Sequence, residues 1–186
     1  MSGTRTRMVD AAVEGLQRNG VAGTSFTDLL EASGAARGAI YHHFPEGKVQ
    51  LLAEASTRFG EQVKDHLSAL PDGTPVEVVE AFLSAVRPVV EGSVEGGGCA
   101  VAAVTVGRNE ELLKTSAQAF GSWIVALSER LGAAGLSEPA SVDLATTLII
   151  LLEGAHVLCR ATESIEPFER AARSAVILTR TLDQDT

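Results

Sequence analysis

Apolar positions recur along this chain at intervals of three and four, the spacing that lines one face of an α-helix. Val9, Ala12, Val13 and Leu16 make the first stripe, and Asn19-Gly20 supplies its stop. Ser25 precedes a short helix as N-cap, with Asp28 three residues on, the spacing of a capping box. That helix runs to about Ser33 and ends at Gly34. A second short helix starts near Arg37 and closes around His43-Phe44-Pro45, since proline cannot continue it. A longer helix is predicted over roughly 47–67, with Leu51, Leu52, Ala55, Phe59, Val63 and Leu67 along one face.

Beyond a turn at Pro71-Asp72-Gly73-Thr74-Pro75, helical periodicity returns over about 76–91 and stops in a glycine-rich break at 92–98. The apolar stretch 99–106 fits a buried helix or a strand equally well. A long amphipathic helix follows over about 110–134, ended by Gly135. Pro139 and Pro167 open two more, the first carrying the apolar positions 144–158 and the second reaching about residue 182. Proline suits a first helical position because its missing N–H would have no helical partner there. Neither an internal repeat nor a low-complexity segment interrupts this series, and nothing in it suggests a sheet of any size. The expected fold class is all-α.

Composition narrows the setting. The 186 residues are 45% hydrophobic and 21% charged, as in a packed globular protein. The longest apolar run, 144–152, is broken by two threonines and ends at Glu153, too short for a bilayer span. No signal-peptide pattern opens the chain, and Cys99 and Cys159 set no disulfide framework. A soluble cytoplasmic protein without membrane contact is expected. An excess of arginine over lysine, with abundant alanine, glycine and valine, hints at a GC-rich bacterial genome.

The formal charge of −9 argues at first against a nucleic-acid binder. Its distribution reverses that. Arg5, Arg7, Arg18, Arg37 and Lys48 balance Asp10, Glu14, Asp28, Glu31 and Glu46, so all the excess negative charge lies beyond residue 48. Such asymmetry suggests two tasks, with the polyanion-facing one at the N-terminus.

The stretch from Ser25 to Phe44 reads physically as a capped helix, a tight glycine turn and a second short helix, with Leu29, Leu30, Ile40 and Phe44 as the inner seam. Such a unit can lay its second helix in the major groove while the first crosses the backbone. Arg37, Gly38, Tyr41 and His42 then face outward. Arginine can pair with guanine edges or phosphate, Gly38 permits close backbone approach, and Tyr41 and His42 can donate to phosphates. Lys48 adds a point charge at the next helix start, and His43 is expected to face inward. Tyr41 can alternatively pack against the first helix. Arg5 and Arg7 fit either an arm reaching the minor groove or a solvated tail.

Over about residues 4–54 the sequence resembles the N-terminal domain of the TetR family of repressors. Thr24-Ser25-Phe26, the Gly34 turn, and Gly38-Ala39-Ile40-Tyr41-His42-His43-Phe44 with Lys48 and Leu51 carry the likeness. Phe44-Pro45-Glu46-Gly47-Lys48, and Gly97-Gly98-Cys99-Ala100-Val101-Ala102-Ala103 further on, resemble the branch named for LmrA and YxaF. The resemblance implies Arg37, Gly38, Tyr41, His42 and Lys48 as DNA contacts, with Ser25 and Thr27 on phosphates. Ala36 stands where the family often has serine, and Leu30 where a small alanine is usual. Both departures make the operator less guessable.

The expected organisation is an N-terminal three-helix helix-turn-helix DNA-binding domain over 1–54 and a larger helical ligand-binding and dimerisation domain over 55–186. In the second part no metal-ligand cluster occurs, and Gly96-Gly97-Gly98-Cys99 lacks the lysine and Ser/Thr of a phosphate loop. Cys99 reads as packing or pocket lining. Phe120, Trp123 and Leu127 share one helical face, and Phe82 and Val86 another. These can line an apolar cavity with Glu153 and His156 as polar anchors, or simply form core. That some effector pocket exists is an implication of the resemblance. The stretch 145–161 is apolar over most of its circumference, with Gly154 and Ala155 permitting close approach, so it needs partners on several sides. In TetR-like proteins the last two helices of each subunit form a four-helix interface, and these match by position.

The function expected is that of a homodimeric transcriptional repressor, released from a palindromic double-stranded operator by a small, largely apolar effector. It needs no cofactor or metal and is no enzyme, since no acid/base or nucleophile–base pair is visible in the sequence. An architectural DNA binder without sequence preference or effector is the alternative, and a helical enzyme or carrier with an incidental helix-turn-helix is the third.

Overall fold

The computed structural model describes residues 3–184, and among them every regular element is a helix. In chain order these are α1 (Thr4–Gly23), α2 (Phe26–Ser33), α3 (Ala39–His43), α4 (Lys48–Ser68), α5 (Pro75–Val94), α6 (Ala100–Ala103), α7 (Glu110–Ala133), α8 (Glu138–Thr162) and α9 (Glu166–Gln184). The ambiguous stretch 99–106 resolves as the single turn of α6. Proline opens α5 at its first position, behind a Thr74–Glu77 capping box. Thr74, through its backbone N–H and then its hydroxyl, holds the Glu77 carboxyl below the usual range.

The chain divides into two compact units, and the divisions fall inside α4, between α5 and α6, and inside α7. The first contains residues up to Glu61 together with Cys99–Ala119. Its core joins Met8, Val9, Ala12 and Leu16 of α1 to Leu29 of α2, Ile40 of α3, Phe44, and Leu51, Leu52 and Ala55 of α4. Ala100, Val104 and Leu112 belong to the same core, so α6 and the start of α7 pack with the N-terminal helices. Periodicity alone gives no reason to group 99–119 with them, because residues 62–98 intervene along the chain.

The second unit comprises Gln62–Gly98 and the residues from Phe120 onward. Here α5, α8 and α9 pack on one another. Val79, Phe82 and Val90 of α5, Trp123, Leu127 and Leu131 of α7, and Leu144, Leu148 and Cys159 of α8 are buried. Arg87 ties α5 to α9 through Glu169 at 2.7 Å. Among the described residues, α8 has the length and composition to cross a membrane, with a mean hydropathy of 1.7 over its most apolar window. The apolar run at 144–152 is too short for a span, but the whole helix of 25 residues is long enough. The helix packs along α5 and α9, and 44% of that window is buried.

Candidate nucleic-acid interface

The geometry of the helix-turn-helix is set by short-range chemistry. The Ser25 hydroxyl accepts from the Asp28 backbone N–H (3.2 Å) and donates to the Asp28 carboxylate (2.6 Å). That carboxylate also accepts from the Ser25 backbone N–H at 3.3 Å, completing the box. This satisfies donors that the first turn of α2 leaves open. At the other end Gly34 adopts a left-handed conformation (φ 63°, ψ 26°), and its N–H returns to the carbonyls of Glu31 and Leu30. A side chain there would clash with its own backbone, so glycine suits the turn between α2 and α3.

Helix α3 is brief, and only Ile40 among its residues is fully buried. Ile40 and Phe44 point into the core, at 2% and 0% exposure. Tyr41 is 71% exposed, so it does not pack against α2. Arg37, Gly38 and His42 are exposed beside it, as are Ser25 and Thr27 at the start of α2. His43 is half-buried, its ring edge-on to His42 at 4.9 Å and near Phe44 at 6.5 Å. Arg37 and Gly38 lie in the turn before α3, with Gly38 as its N-cap, so the regular helix begins two residues later than the sequence suggested.

Gly38 has an ordinary right-handed backbone (φ −70°, ψ −18°), and a Cβ added there would meet nothing within 4 Å. Neither conformation nor internal packing requires glycine at this exposed position.

Lys48, expected as a DNA contact, and Arg5 and Arg7, expected as either a minor-groove arm or a solvated tail, have partners within the unit. Arg5 and Arg7 are part of α1, and neither forms an arm or a loose tail. Arg5 pairs with Glu54 of α4 and lies over the Phe44 ring, 5.1 Å from its centroid. Arg7 Nε donates to the Ser33 carbonyl at 3.0 Å, at the end of α2. Lys48, half-buried, donates from Nζ to the Val21 carbonyl at 2.8 Å. Sequence reading missed these contacts because each joins residues at least 26 positions apart.

Of the residues considered for an effector pocket, seven lie in the second unit and Cys99 in the first. Cys99 is buried and serves as the N-cap of α6, its sulfur accepting from the Ala102 N–H at 3.4 Å. Phe82, Trp123 and Leu127 are wholly buried, while Val86, Phe120 and Glu153 are half-buried. Phe120 and Trp123 meet edge to face at 5.1 Å. His156 is buried against Ser93, a residue the sequence did not single out, with Nδ1 and Oγ 2.6 Å apart. Burial, and then the nearby Arg160 charge, lowers its pKa from 6.5 to about 4, so its imidazole is neutral at physiological pH.

Residues 8–55 match the family model for bacterial regulatory proteins of the tetR family. Residues 75–174 match that for the C-terminal domain of LmrA/YxaF-like transcriptional regulators. An HTH-type transcriptional regulator of Mycobacterium tuberculosis is 31% identical over 181 residues, covering 93% of this chain and 92% of its own. The HTH-type transcriptional regulator LmrA of Bacillus subtilis is 29% identical over 171 residues, covering 88% of this chain and 90% of its own. In fold, the chain is similar to a TetR transcriptional regulator from Legionella pneumophila, with a TM-score of 0.83 and 21% identity over 98% of each chain. The chain belongs to the TetR family of DNA-binding transcriptional regulators, in its LmrA/YxaF-like group.

Proposed function

We propose that this regulator is a homodimeric repressor that leaves a palindromic operator when a small, largely apolar effector binds. Residues 1–54 carry operator binding and 55–186 carry effector binding and dimerisation. The observation that bears most weight is the face formed by Arg37, Gly38, Tyr41 and His42, left exposed while Ile40 and Phe44 anchor the same segment in the core. Arg37 and Tyr41 are the base-reading and phosphate-reading side chains, Gly38 admits the DNA backbone, and Ser25 and Thr27 approach phosphates from the start of α2.

The dimer reading rests on α8 and α9. Ile150, Val157 and Leu158 of α8 and Ile177 and Leu178 of α9 are large apolar side chains left exposed, and Gly154 lies exposed among them. An apolar stripe shared by two adjacent helices is costly in water. A second copy using the same stripe buries it isologously. The open groove of about 590 Å³ beside it, lined by Leu158, Pro167, Arg170 and Ala171 among others, gives the partner helices a seat. A palindromic operator read by two α3 helices asks for a separation of about 34–36 Å on one DNA face.

Effector binding is assigned to the second unit, with Phe82, Val86, Phe120, Trp123 and Leu127 as apolar lining and Glu153 and His156 as polar anchors. An effector that prefers the conformer with mismatched half-site spacing lowers operator affinity by its differential binding.

The test is selection of bound duplexes from random sequence, followed by retention assays with an Arg37→Ala/Tyr41→Ala variant. The variant should lose operator retention while sedimenting as a dimer. Unchanged affinity removes the assignment of α3. Equal competition by unrelated DNA points to an architectural binder instead. Fluorescence of the single tryptophan, Trp123, reports effector entry during compound screening.

A further inference from the structure

Helix α1 does not end cleanly. Its regular path breaks at Gly20 (φ 64°, ψ −174°), and one further turn runs to Gly23 before the chain enters α2. A helix end presents carbonyls that lack intrahelical partners and carry partial negative charge. The last turn of α1 holds no basic residue to offset this. Two side chains from beyond it do so. The buried Thr24 hydroxyl donates to the Gly20 carbonyl at 2.7 Å, and Lys48 donates to the Val21 carbonyl at 2.8 Å.

Lys48 is the first residue of α4, at the positive end of its own helix dipole, where a cation is electrostatically misplaced. Its ammonium is turned instead to the negative end of α1. The contact joins residues 27 apart, and between them lies the whole of α2, the glycine turn and α3. The helix-turn-helix is therefore a loop whose two ends are fastened to each other.

We propose that Lys48 is a positioning residue, a clasp that closes the Val21–Lys48 loop and thereby fixes the pose of α3, and that it is not a phosphate ligand. Arg7 of α1 holds the middle of the same loop, through the Ser33 carbonyl at the end of α2. The inference rests on the DNA-binding reading above, but it differs from that reading in its consequences.

A phosphate ligand and a clasp respond differently to loss of charge. Each phosphate contact contributes about 0.9 to the slope of log K against log salt, on any duplex. A clasp contributes nothing to that slope, and its loss blurs the pose needed for base reading. In the full-length protein, Lys48→Met should leave the salt slope on an unrelated duplex unchanged. It should reduce the preference for the selected operator over that duplex by about tenfold, the size of one weakened base contact. Thr24→Val removes the companion tie without altering any charge, and it should reproduce the loss of preference. A Lys48→Met slope lower by about 0.9 per Lys48, with operator preference intact, makes the residue a phosphate ligand and overturns the proposal.

Amide hydrogen exchange of the DNA-free protein separates this inference from the functional reading. Both variants should speed exchange over residues 39–43, whether or not any duplex is bound. Exchange unchanged in both variants overturns the clasp. A wild-type protein that selects no duplex overturns the functional reading alone.

Discussion

Ser93 of α5 and His156 of α8, 63 residues apart in the chain, meet inside the second unit with Oγ and Nδ1 2.6 Å apart. The hydroxyl partner, together with burial, suits a neutral imidazole, and the lowered pKa of about 4 follows from desolvation first and the Arg160 charge second. The unfolded chain, with its histidine near 6.5, binds a proton that the folded chain refuses between these two values. Stability from this site is therefore complete above pH 6.5 and is lost as pH falls toward about 4. The span amounts to roughly 3 kcal/mol. Urea unfolding of wild type and His156→Gln at pH 7.5 and pH 4.5 checks it. The wild type should lose more stability than the variant on acidification, and equal losses would contradict the buried neutral histidine.

Ser25 has two proposed roles that substitution can separate. Ser25→Ala removes the cap acceptor and should cost about 1 kcal/mol of stability, read from the thermal midpoint. Ser25→Asp keeps an acceptor for the Asp28 N–H but sets a carboxylate where a phosphate is to lie. It should bind operator more weakly than wild type. Wild-type DNA affinity in Ser25→Asp would remove Ser25 from the interface.

Gly38→Ala separates folding from binding in the opposite sense. With an ordinary backbone and open space around the added methyl, the substitution should leave stability unchanged or raise it by about 0.5 kcal/mol. Operator affinity should nonetheless fall, because the methyl occupies the space the DNA backbone needs. Calorimetric melting and fluorescence anisotropy on the same preparation decide the matter. An unchanged dissociation constant would leave the glycine unexplained.

Val157 is 67% exposed on α8, one turn from Gly154 and two from Ile150, itself 67% exposed. Val157→Glu puts a charge in the proposed dimer seam at little cost to the isolated subunit. Sedimentation equilibrium should give a monomer with wild-type helical circular dichroism, and operator affinity should drop as the second half-site is lost. A variant that remains dimeric would move the interface away from this face.

Much of the helix-turn-helix was legible because its signals are local. Ser25 and Asp28 announce the start of α2, Gly34 its end, and Pro45 the close of α3, each acting within a few residues through one hydrogen bond or one backbone angle. The stripes at Val9–Leu16 and Leu51–Leu67 likewise needed only helical periodicity. Lys48 reads as a charge facing DNA, and Arg5 and Arg7 as either a minor-groove arm or a solvated tail, because sequence shows a cation but not the carbonyl or carboxylate that engages it. Their partners Glu54, Ser33 and Val21 come from other helices.

The order of amino acids by itself determined the longer helices, the Ser25–Asp28 cap and the outward set Arg37, Gly38, Tyr41 and His42, since these follow from steric and hydrogen-bonding rules acting over one or two turns. Only the tertiary structure decided that α6 packs with the N-terminal helices, that Ser93 engages His156, and that Lys48 reaches Val21. Those pairings join segments distant along the chain, and which of many chemically suitable partners meet is set by how whole helices pack.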